Sequence, residues 1–331
     1  MFFIRLIVWL INLCVLACIA GLAVAGIGFF LYAKPGPLTE VKTVVIERGS
    51  GLPDIAAQLE QQGVIASPHQ LFIAGVIASG KRSALKAGEY EFPAGISMAG
   101  VAGKMAAGEV VVHKITVVDG MTVKEVIDLL KADSTLTGEV PTPVAEGTLL
   151  PETYHFNRGD SRRSLIERMQ KANADLLAQL WPTRAPNLPL QSPEQALVLA
   201  SIVEKETGVA AERAKVAGVF INRLNKGMKL QSDPTAIYPL SQFTGNLGRA
   251  LTLKDLETPS PYNTYYTGGL PPGPIANPAA ASIKAVLQPE THDYFYFVAD
   301  GTGGHAFART LAEHNQNVAR WRQIQRAAGS R

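Results

Sequence analysis

The chain has 331 residues, enough for two or three domains, and its 47% hydrophobic and 18% charged residues are typical of a folded protein rather than a disordered one. Its formal net charge is only +3, and it has no run of lysine and arginine interleaved with aromatic residues. Nucleic acid is therefore not an expected partner. Both cysteines, Cys14 and Cys18, lie in the first apolar run, so the rest of the chain is expected to fold without disulfides.

Residues 6–33 are almost uninterruptedly apolar, and about 20 such residues suffice to cross a bilayer. Trp9 and Tyr32 lie near the two ends of this run, where interfacial aromatic residues are common. Arg5 and the N-terminus place positive charge before the run, which favours a cytoplasmic tail over residues 1–5. These features predict a single-pass membrane protein with its N-terminus in the cytoplasm and its bulk on the opposite side of the membrane.

A cleavable secretory signal is the alternative for this run. Such a signal has a shorter apolar region that ends in small residues, whereas bulky side chains occupy 29–32 here. The sequence therefore favours an uncleaved anchor, and the Pro-Gly-Pro at 35–37 is expected to end the helix in a short, stiff spacer.

A weak internal repeat follows the anchor. When Gly49, Gly95 and Gly120 are superimposed, apolar residues recur three, six, seven and ten positions later, which is the spacing of one helix face. The residues at these positions are Leu52, Ile55, Ala56 and Leu59; Met98, Val101, Ala102 and Met105; and Val123, Val126, Ile127 and Leu130. Ser97 and Thr122 are predicted N-caps of the second and third helices.

Two of these glycines follow β-branched runs, residues 43–46 and 110–118, which are typical of strands. The repeated unit is therefore strand, glycine turn and short helix, and it predicts a small α+β domain over residues 41–132. The first copy, VVIERGSGLPDIAAQLEQQGVI, resembles the opening of a LysM module, which implies glycan binding. A spacer domain without a ligand is the alternative.

A helix that carries acidic residues starts at Ser192. Ser192 is the expected N-cap, Pro193 the first helical residue, and Gln195 the partner that closes a capping box. The helix is predicted to continue through Ala196 to about Thr207.

Glu206 ends an apolar stripe on this helix that Leu199, Ile202 and Val203 begin. Glu204 lies roughly 200° away around the axis, so both acids cannot face one pocket from a regular helix. Burial beside aliphatic side chains would raise the pKa of Glu206 and keep it able to donate a proton near neutral pH. A structural acid paired with Arg213 is the alternative, and periodicity alone does not choose between the two.

The C-terminal part is predicted to hold a second helix over 210–225, a strand over 294–298, a turn at GTGGHAF and a closing helix over 310–328. Between them, LQSDPTAIY and residues 257–278 are rich in amide, hydroxyl and aromatic side chains. This composition suits loops that hold sugars, and it also suits plain turns.

The segments ASIVEKET, VFINRL, LQSDPTAIY, ETPSPYNTY, GLPPGPIANP and YFYFVADGTGGHAF, in this order, resemble the YceG-like family. The resemblance covers residues from about 146 to the final helix. It implies a catalytic domain over 146–331 and a fold of class α+β, composed of a transmembrane helix, a small LysM-like domain and a larger catalytic domain with the acid on a helix. The family's catalytic acid, the second glutamate of EKET, corresponds to Glu206 here.

The resemblance implies an endolytic lytic transglycosylase that cleaves the β-1,4 bond between N-acetylmuramic acid and N-acetylglucosamine within peptidoglycan strands and leaves 1,6-anhydro ends. No metal and no cofactor are expected, and the expected partners are glycan strands, the membrane and peptidoglycan synthases. Candidate residues for holding the sugar are Gln231, Ser232, Asp233, Tyr262, Asn263 and Thr264.

Two different functions stay open beside this one. The first is a muramidase that uses water, with Asp233 or Glu152 as the second carboxylate. The second is a membrane-anchored scaffold that binds the cell wall without chemistry.

Overall fold

The computed structural model describes residues 1–329, so residues 330 and 331, at the end of the predicted catalytic domain, lie outside the described part. The chain divides into two compact units, 1–113 with 156–159, and 114–155 with the chain from 160 onward. Both contain helices and short strands, which confirms the mixed α and β class predicted from the sequence. The LysM-like character of the first part stays a prediction.

A single N-terminal helix, α1 (Phe2–Ala33), contains the whole predicted membrane span. It is long and apolar enough to cross a bilayer, and its side chains are exposed over most of its length. Tyr32, near its C-terminal end, is the exception, since its ring is buried in the core of the first unit.

The rest of the first unit is a two-stranded sheet covered by three short helices. β1 (Lys42–Ile46) pairs antiparallel with β2 (Gly88–Phe92), with Val44 opposite Tyr90. The helices are α2 (Leu52–Gln61), α3 (Gln70–Ala78) and α4 (Met98–Ala107). Their inward side chains form one apolar core with the buried residues of β1 and β2.

The glycine-based repeat is confirmed. Gly49, Gly95 and Gly120 have φ values of +89°, +70° and +75°, a backbone conformation that favours glycine. The predicted helix follows each of them, as α2, α4 and, in the second unit, α5 (Val123–Ala132). Ser97 and Thr122 cap the second and third helices as expected, because their side chains accept hydrogen bonds from the amides of residues 100 and 125.

The second unit is mainly helical. After α5, its elements are α6 (Arg162–Leu180), α7 (Pro193–Glu206), α8 (Arg213–Asn225), α9 (Asp233–Leu240), α10 (Leu253–Leu256), α11 (Ala280–Leu287), β5 (Tyr296–Ala299), β6 (His305–Ala308) and α12 (Leu311–Gly329). Two further strands, β3 (Val112–Thr116) and β4 (Thr153–Asn157), each have residues in both units. β3 and β4 form one two-stranded sheet, and β5 pairs antiparallel with β6 in another.

Helix α7 lies at the centre of the second unit. The sequence predicts one apolar stripe, but every residue from Ala196 to Val203 is buried, because α8 and α11 pack around it. A helix buried on several sides does not need a polar face, and Ser201 satisfies its hydroxyl within the helix by donating to the Val198 carbonyl at 2.7 Å. This packing fixes the C-terminal end of α7, where Glu206 lies.

Candidate active site

The start of α7 is set by local sequence. Ser192 caps the helix by accepting a hydrogen bond from the Gln195 amide at 3.4 Å, and Pro193 is the first helical residue, as predicted. The reciprocal half of the capping box is absent, since the Gln195 side chain accepts from the Gln191 amide at 2.8 Å instead. The helix ends at Glu206, and the extended backbone of Thr207 turns the chain away.

Glu206 opens into a cleft of about 440 Å³ within the second unit. Its walls come from α8, the loop before α9, the loop after α10, the β5–β6 hairpin and the start of α12. The polar and aromatic side chains that line the cleft with Glu206 are Phe220, Arg223, Gln231, Asp233, Tyr265, Tyr296, Phe297, His305 and His314.

The pKa of the Glu206 carboxyl is raised to about 7, chiefly because burial penalises the charged form. The Ser232 hydroxyl donates a hydrogen bond to Glu206 Oε1 at 2.5 Å, and this bond stabilises the carboxylate and lowers the pKa. The nearby negative charge of Asp233 acts in the opposite direction. Both the protonated and the ionised form of the acid are therefore accessible near neutral pH. A group that first donates and then accepts a proton needs both forms.

Ser232 is held in place by a buried network of hydroxyl groups. Its amide donates to Thr264 Oγ1 at 3.0 Å, and Thr235 Oγ1 donates to the Ser232 carbonyl at 2.6 Å. The two threonine hydroxyls are 2.8 Å apart and share a further hydrogen bond. Ser232 is also the N-cap residue of α9, yet it makes no side-chain capping bond, because its hydroxyl is directed to Glu206.

Asp233 and Tyr265 form a second polar pair on the cleft wall. The Tyr265 hydroxyl donates to Asp233 Oδ1 at 2.6 Å. Burial, and then the neighbouring Asp233 carboxylate, raise the pKa of Tyr265, so the phenol stays protonated and remains a donor.

Arg223 places a buried positive charge beside the cleft. Its guanidinium donates to the Phe295 carbonyl at 2.7 Å and to the Leu230 carbonyl at 2.6 Å, and it lies over the Tyr296 ring at 5.3 Å. Burial lowers its pKa. Arg223 therefore connects the loop before α9 to β5 and contributes positive charge near Glu206.

Two histidines complete the polar wall. His305 Nδ1 lies 2.7 Å from Glu212 Oε2, and the His305 amide donates to Glu212 Oε1 at 3.0 Å. The His314 ring stacks on Tyr296 at 5.2 Å, and its pKa is lowered by burial and by the Arg223 charge. Among residues 1–329, no three His, Cys, Asp or Glu side chains are grouped closely enough to hold a metal ion.

The predicted sugar-binding residues divide into two groups. Gln231 and Asp233 line the cleft, and Ser232 contacts the acid directly. Thr264 is fully buried and accepts a hydrogen bond from the Ser232 amide. Asn263 is also buried, and its side-chain amide donates hydrogen bonds to the Leu256 and Thr258 carbonyls.

Tyr262, the remaining predicted residue, packs against the Tyr238 ring with the ring centres 5.1 Å apart and does not line this cleft. Direct contact with a bound sugar in this cleft is therefore proposed for Gln231, Ser232 and Asp233. Asn263 and Thr264 form hydrogen bonds within the loops, and Tyr262 packs against Tyr238.

Arg213 pairs with Glu204 rather than with Glu206, the partner considered from spacing. Arg213 Nη2 lies 3.4 Å from Glu204 Oε1, and Glu204 Oε2 accepts the Ala279 amide at 2.9 Å. Glu204 is thus the structural acid of α7, whereas Glu206 accepts a hydrogen bond from Ser232 and faces the cleft.

Several cleft residues were not singled out from the sequence. Arg223, Tyr265, Tyr296 and His305 occur in segments that resemble the YceG-like family, but nothing in their local pattern predicts a role for them. His314 is in the closing helix α12. An arginine within a run of buried residues can predict a functional or structural site, because a buried guanidinium requires hydrogen-bond or charge partners.

The fold and the cleft define a mixed α and β protein with one carboxylic acid of raised pKa at the end of a buried helix, facing polar and aromatic side chains. The model of the YceG-like family matches residues 44–320, and the chain belongs to this family. The family predicted from the sequence is confirmed.

Curated relatives and a solved structure agree with this assignment. A Bacillus subtilis protein named endolytic murein transglycosylase is 33% identical, over 87% of this chain and 89% of the relative. A protein of the same name from Streptococcus pneumoniae D39 is 30% identical, over 84% of this chain and 58% of its own longer sequence. A crystal structure of a YceG-like protein from Listeria monocytogenes matches with a TM-score of 0.50 and 34% identity, over 84% of this chain and 99% of that one.

Proposed function

We propose that this protein is an endolytic murein transglycosylase, a lyase that cleaves glycan strands of peptidoglycan internally. The observation that carries the proposal is Glu206, a carboxylic acid whose pKa is raised to about 7 and which faces a polar, aromatic cleft. The names of the Bacillus and Streptococcus relatives support the same activity.

In the proposed mechanism, protonated Glu206 donates its proton to the glycosidic oxygen between N-acetylmuramic acid and N-acetylglucosamine while the C1–O bond breaks. The resulting carboxylate then takes the proton of the muramic 6-hydroxyl, and the 6-oxygen bonds to C1 of the same sugar. This step leaves a 1,6-anhydro end and returns Glu206 to its protonated form. Because the nucleophile belongs to the substrate, one carboxyl group suffices where hydrolysis commonly uses two.

Ser232 suits both halves of this cycle. Its hydrogen bond favours the carboxylate, which is the form that acts as the base, whereas burial favours the acid that begins the reaction. The two effects oppose each other and keep the pKa near neutral, where both forms are accessible.

A muramidase that uses water is the second candidate, and the position of Asp233 favours it over a scaffold without chemistry. Asp233 lines the cleft with Glu206 and could act on a water molecule, although it also accepts a hydrogen bond from Tyr265. Glu152, the second acid considered for this role, is exposed and does not line the cleft.

Product analysis separates the two reactions. Purified peptidoglycan strands are digested with the full-length protein, and the new ends are identified by mass spectrometry. We expect shortened strands whose new muramic ends are lighter by one water than reducing ends. Reducing ends without the anhydro product would favour the muramidase and refute the transglycosylase.

We also propose a location and a domain plan. α1 would span a bacterial inner membrane once, with residues 1–5 in the cytoplasm and the remainder in the periplasm, and peptidoglycan synthases would be partners that cross-linking in cells can identify. Residues 41–132 would form a LysM-like domain and residues 146–331 the catalytic domain.

A reporter fused after Arg331 tests the orientation. Alkaline phosphatase, which is active only after export, is expected to be active in this fusion, while a fluorescent protein that matures only in the cytoplasm is expected to be dark. The opposite pair of results would place the bulk of the chain in the cytoplasm, away from its proposed substrate.

A further inference from the structure

The second unit contains another cleft, of about 560 Å³, that does not include Glu206. One wall is the outward face of α5, a second is the loop that leads to Glu146, and a third is the end of α9 with the turn that follows it. The side chains that matter are Ile127, Thr142, Val144, Glu146, Tyr238 and Phe243.

The repeated unit differs at one position that faces this cleft. Seven residues after the glycine, the first two copies carry Ala56 and Ala102, and both are fully buried. The third copy carries Ile127, which is only partly buried and lines the cleft. The larger apolar side chain is thus found in the copy where it meets an open surface rather than a packed core.

An aromatic side chain is held at the rim of this cleft. Phe243 is 50% exposed, and its φ of +67° follows the φ of +53° at Gln242, a left-handed conformation that non-glycine residues seldom adopt. Such a conformation is unfavourable for a residue with a Cβ atom and persists where the surroundings impose it. The Phe243 ring packs edge-on against Tyr238, with the ring centres 5.1 Å apart.

A carboxyl group lies next to these rings. Glu146 Oε2 accepts a hydrogen bond from the Tyr238 hydroxyl at 2.9 Å, and Oε1 accepts from the Val123 amide at 2.8 Å. Glu146 is partly buried, and this burial raises the pKa of its carboxyl. The cleft therefore combines aromatic and aliphatic surface with hydrogen-bonding groups at its edge.

Contacts connect this cleft to the end of α7. Lys205, the residue before the proposed acid, donates a hydrogen bond to the Gly120 carbonyl at 3.3 Å. Its Nζ atom also lies close to Gly245, at 3.9 Å from the position that a Cβ atom would occupy there. Gly245 follows Phe243 by two residues, and Gly120 precedes α5. Helix α9 also joins the clefts, since Asp233 lines the first and Tyr238 the second.

We propose that this cleft is a second saccharide-binding subsite, which holds a pyranose ring of the glycan strand at a distance from the bond that is cleaved. A pyranose ring has C–H groups on its faces and hydroxyl or amide groups on its rim. The faces suit Phe243 and Ile127, and the rim suits the hydroxyl and carboxyl groups at the edge of the cleft. This inference rests on the proposed function, because it assumes a polymeric glycan substrate.

The charged side chains of this cleft lie at its rim. Lys124 and Asp128 pair with each other at 2.9 Å, and Lys131 adds an ammonium group that can donate hydrogen bonds to sugar hydroxyls. The inner surface is apolar apart from hydrogen-bonding groups, as binding of an uncharged ring requires.

The test compares long and short substrates. Full-length Phe243→Ala and Ile127→Ala variants are assayed on long glycan strands, with and without their peptide stems, and on a peptidoglycan tetrasaccharide. Ile127→Ala introduces the residue that the first two copies carry, so the helix is expected to form. The matched control is Tyr266→Ala, which removes an aromatic ring that is 53% exposed and lines neither cleft.

Both variants are expected to raise KM on long strands about fivefold to tenfold, leave kcat unchanged and leave tetrasaccharide cleavage as in the wild type. The same KM change is expected after the stems are removed. An unchanged KM, an equal change on the tetrasaccharide, or an effect that requires the stems would each refute the subsite. Failure of the wild type to cleave any strand would refute the proposed function instead, so the two failures can be distinguished.

Discussion

The Glu206→Gln variant is expected to lose about 10²–10⁴-fold in kcat/KM on peptidoglycan strands, because the amide can neither donate the proton that the leaving oxygen needs nor accept one from the 6-hydroxyl. The change is nearly isosteric, and the glutamine oxygen can still accept the Ser232 hydrogen bond. Strand binding should therefore survive. Rates of strand shortening, followed by chromatography of the products, measure the loss.

The same variant should be more stable than the wild type, which separates lost chemistry from lost folding. The pKa of Glu206 in the folded protein is raised to about 7, so the stability associated with its protonated form is present at low pH and is lost as the pH rises through 7. Replacing it with glutamine is expected to raise the free energy of unfolding by on the order of 1–3 kcal/mol at about pH 8 and to change it little at about pH 4, below the pKa of an unfolded glutamate. Denaturant titrations at the two pH values measure this difference.

Glu204→Gln is the matched control on the same helix. Glu204 contacts Arg213 and the Ala279 amide, so its replacement weakens these contacts and should lower stability by about 1–3 kcal/mol while cleavage remains. If Glu204→Gln were inactive and Glu206→Gln active, the assignment of the acid would be wrong.

The pH dependence of kcat/KM gives the second large effect. Because the reaction begins with protonated Glu206, kcat/KM is expected to fall as the pH rises through about 7. Two neighbouring substitutions should move this descending limb in opposite directions. Ser232→Ala removes a hydrogen bond that lowers the pKa of Glu206, so the limb moves to higher pH, and Asp233→Asn removes a negative charge that raises it, so the limb moves to lower pH.

The profiles are recorded from about pH 5 to about pH 9, a range that brackets the raised pKa. Ser241→Ala is the control, because Ser241 lies at the far end of α9 and donates to the Tyr238 carbonyl rather than to the acid. Its limb should stay at the wild-type position. If both test substitutions moved the limb in the same direction, the opposing effects assigned to Ser232 and Asp233 would be wrong.

Local patterns predicted much of this fold. The glycine-based repeat, its helix faces and its caps at Ser97 and Thr122 were found from spacing, because helix periodicity and capping depend on residues within one or two turns. The start of α7 at Ser192 and Pro193 was predicted for the same reason. The position of Glu206 at the end of the buried stripe also came from local spacing.

Local sequence patterns do not predict contacts between distant segments. Spacing suggested Arg213 as a partner for Glu206, but helix packing directs it to Glu204. GTGGHAF was predicted as a turn, yet its last residues begin β6, because pairing with β5 satisfies their backbone groups. His305 reaches the cleft only through that pairing, so its place in the site depends on the hairpin.

The contact between α1 and the rest of the first unit has a mechanical consequence. Tyr32 lies so close to Gly75 on α3 that a Cβ atom at Gly75 would be 2.3 Å from the tyrosine ring. At Gly36, a Cβ atom would be 2.2 Å from the Ile96 carbonyl oxygen. The C-terminal end of α1, at Tyr32, and Gly36 are therefore packed against the rest of the first unit. In a bilayer, any tilt of α1 would tilt the first unit with it, so the membrane would set the orientation of that unit as well as its distance from the lipid.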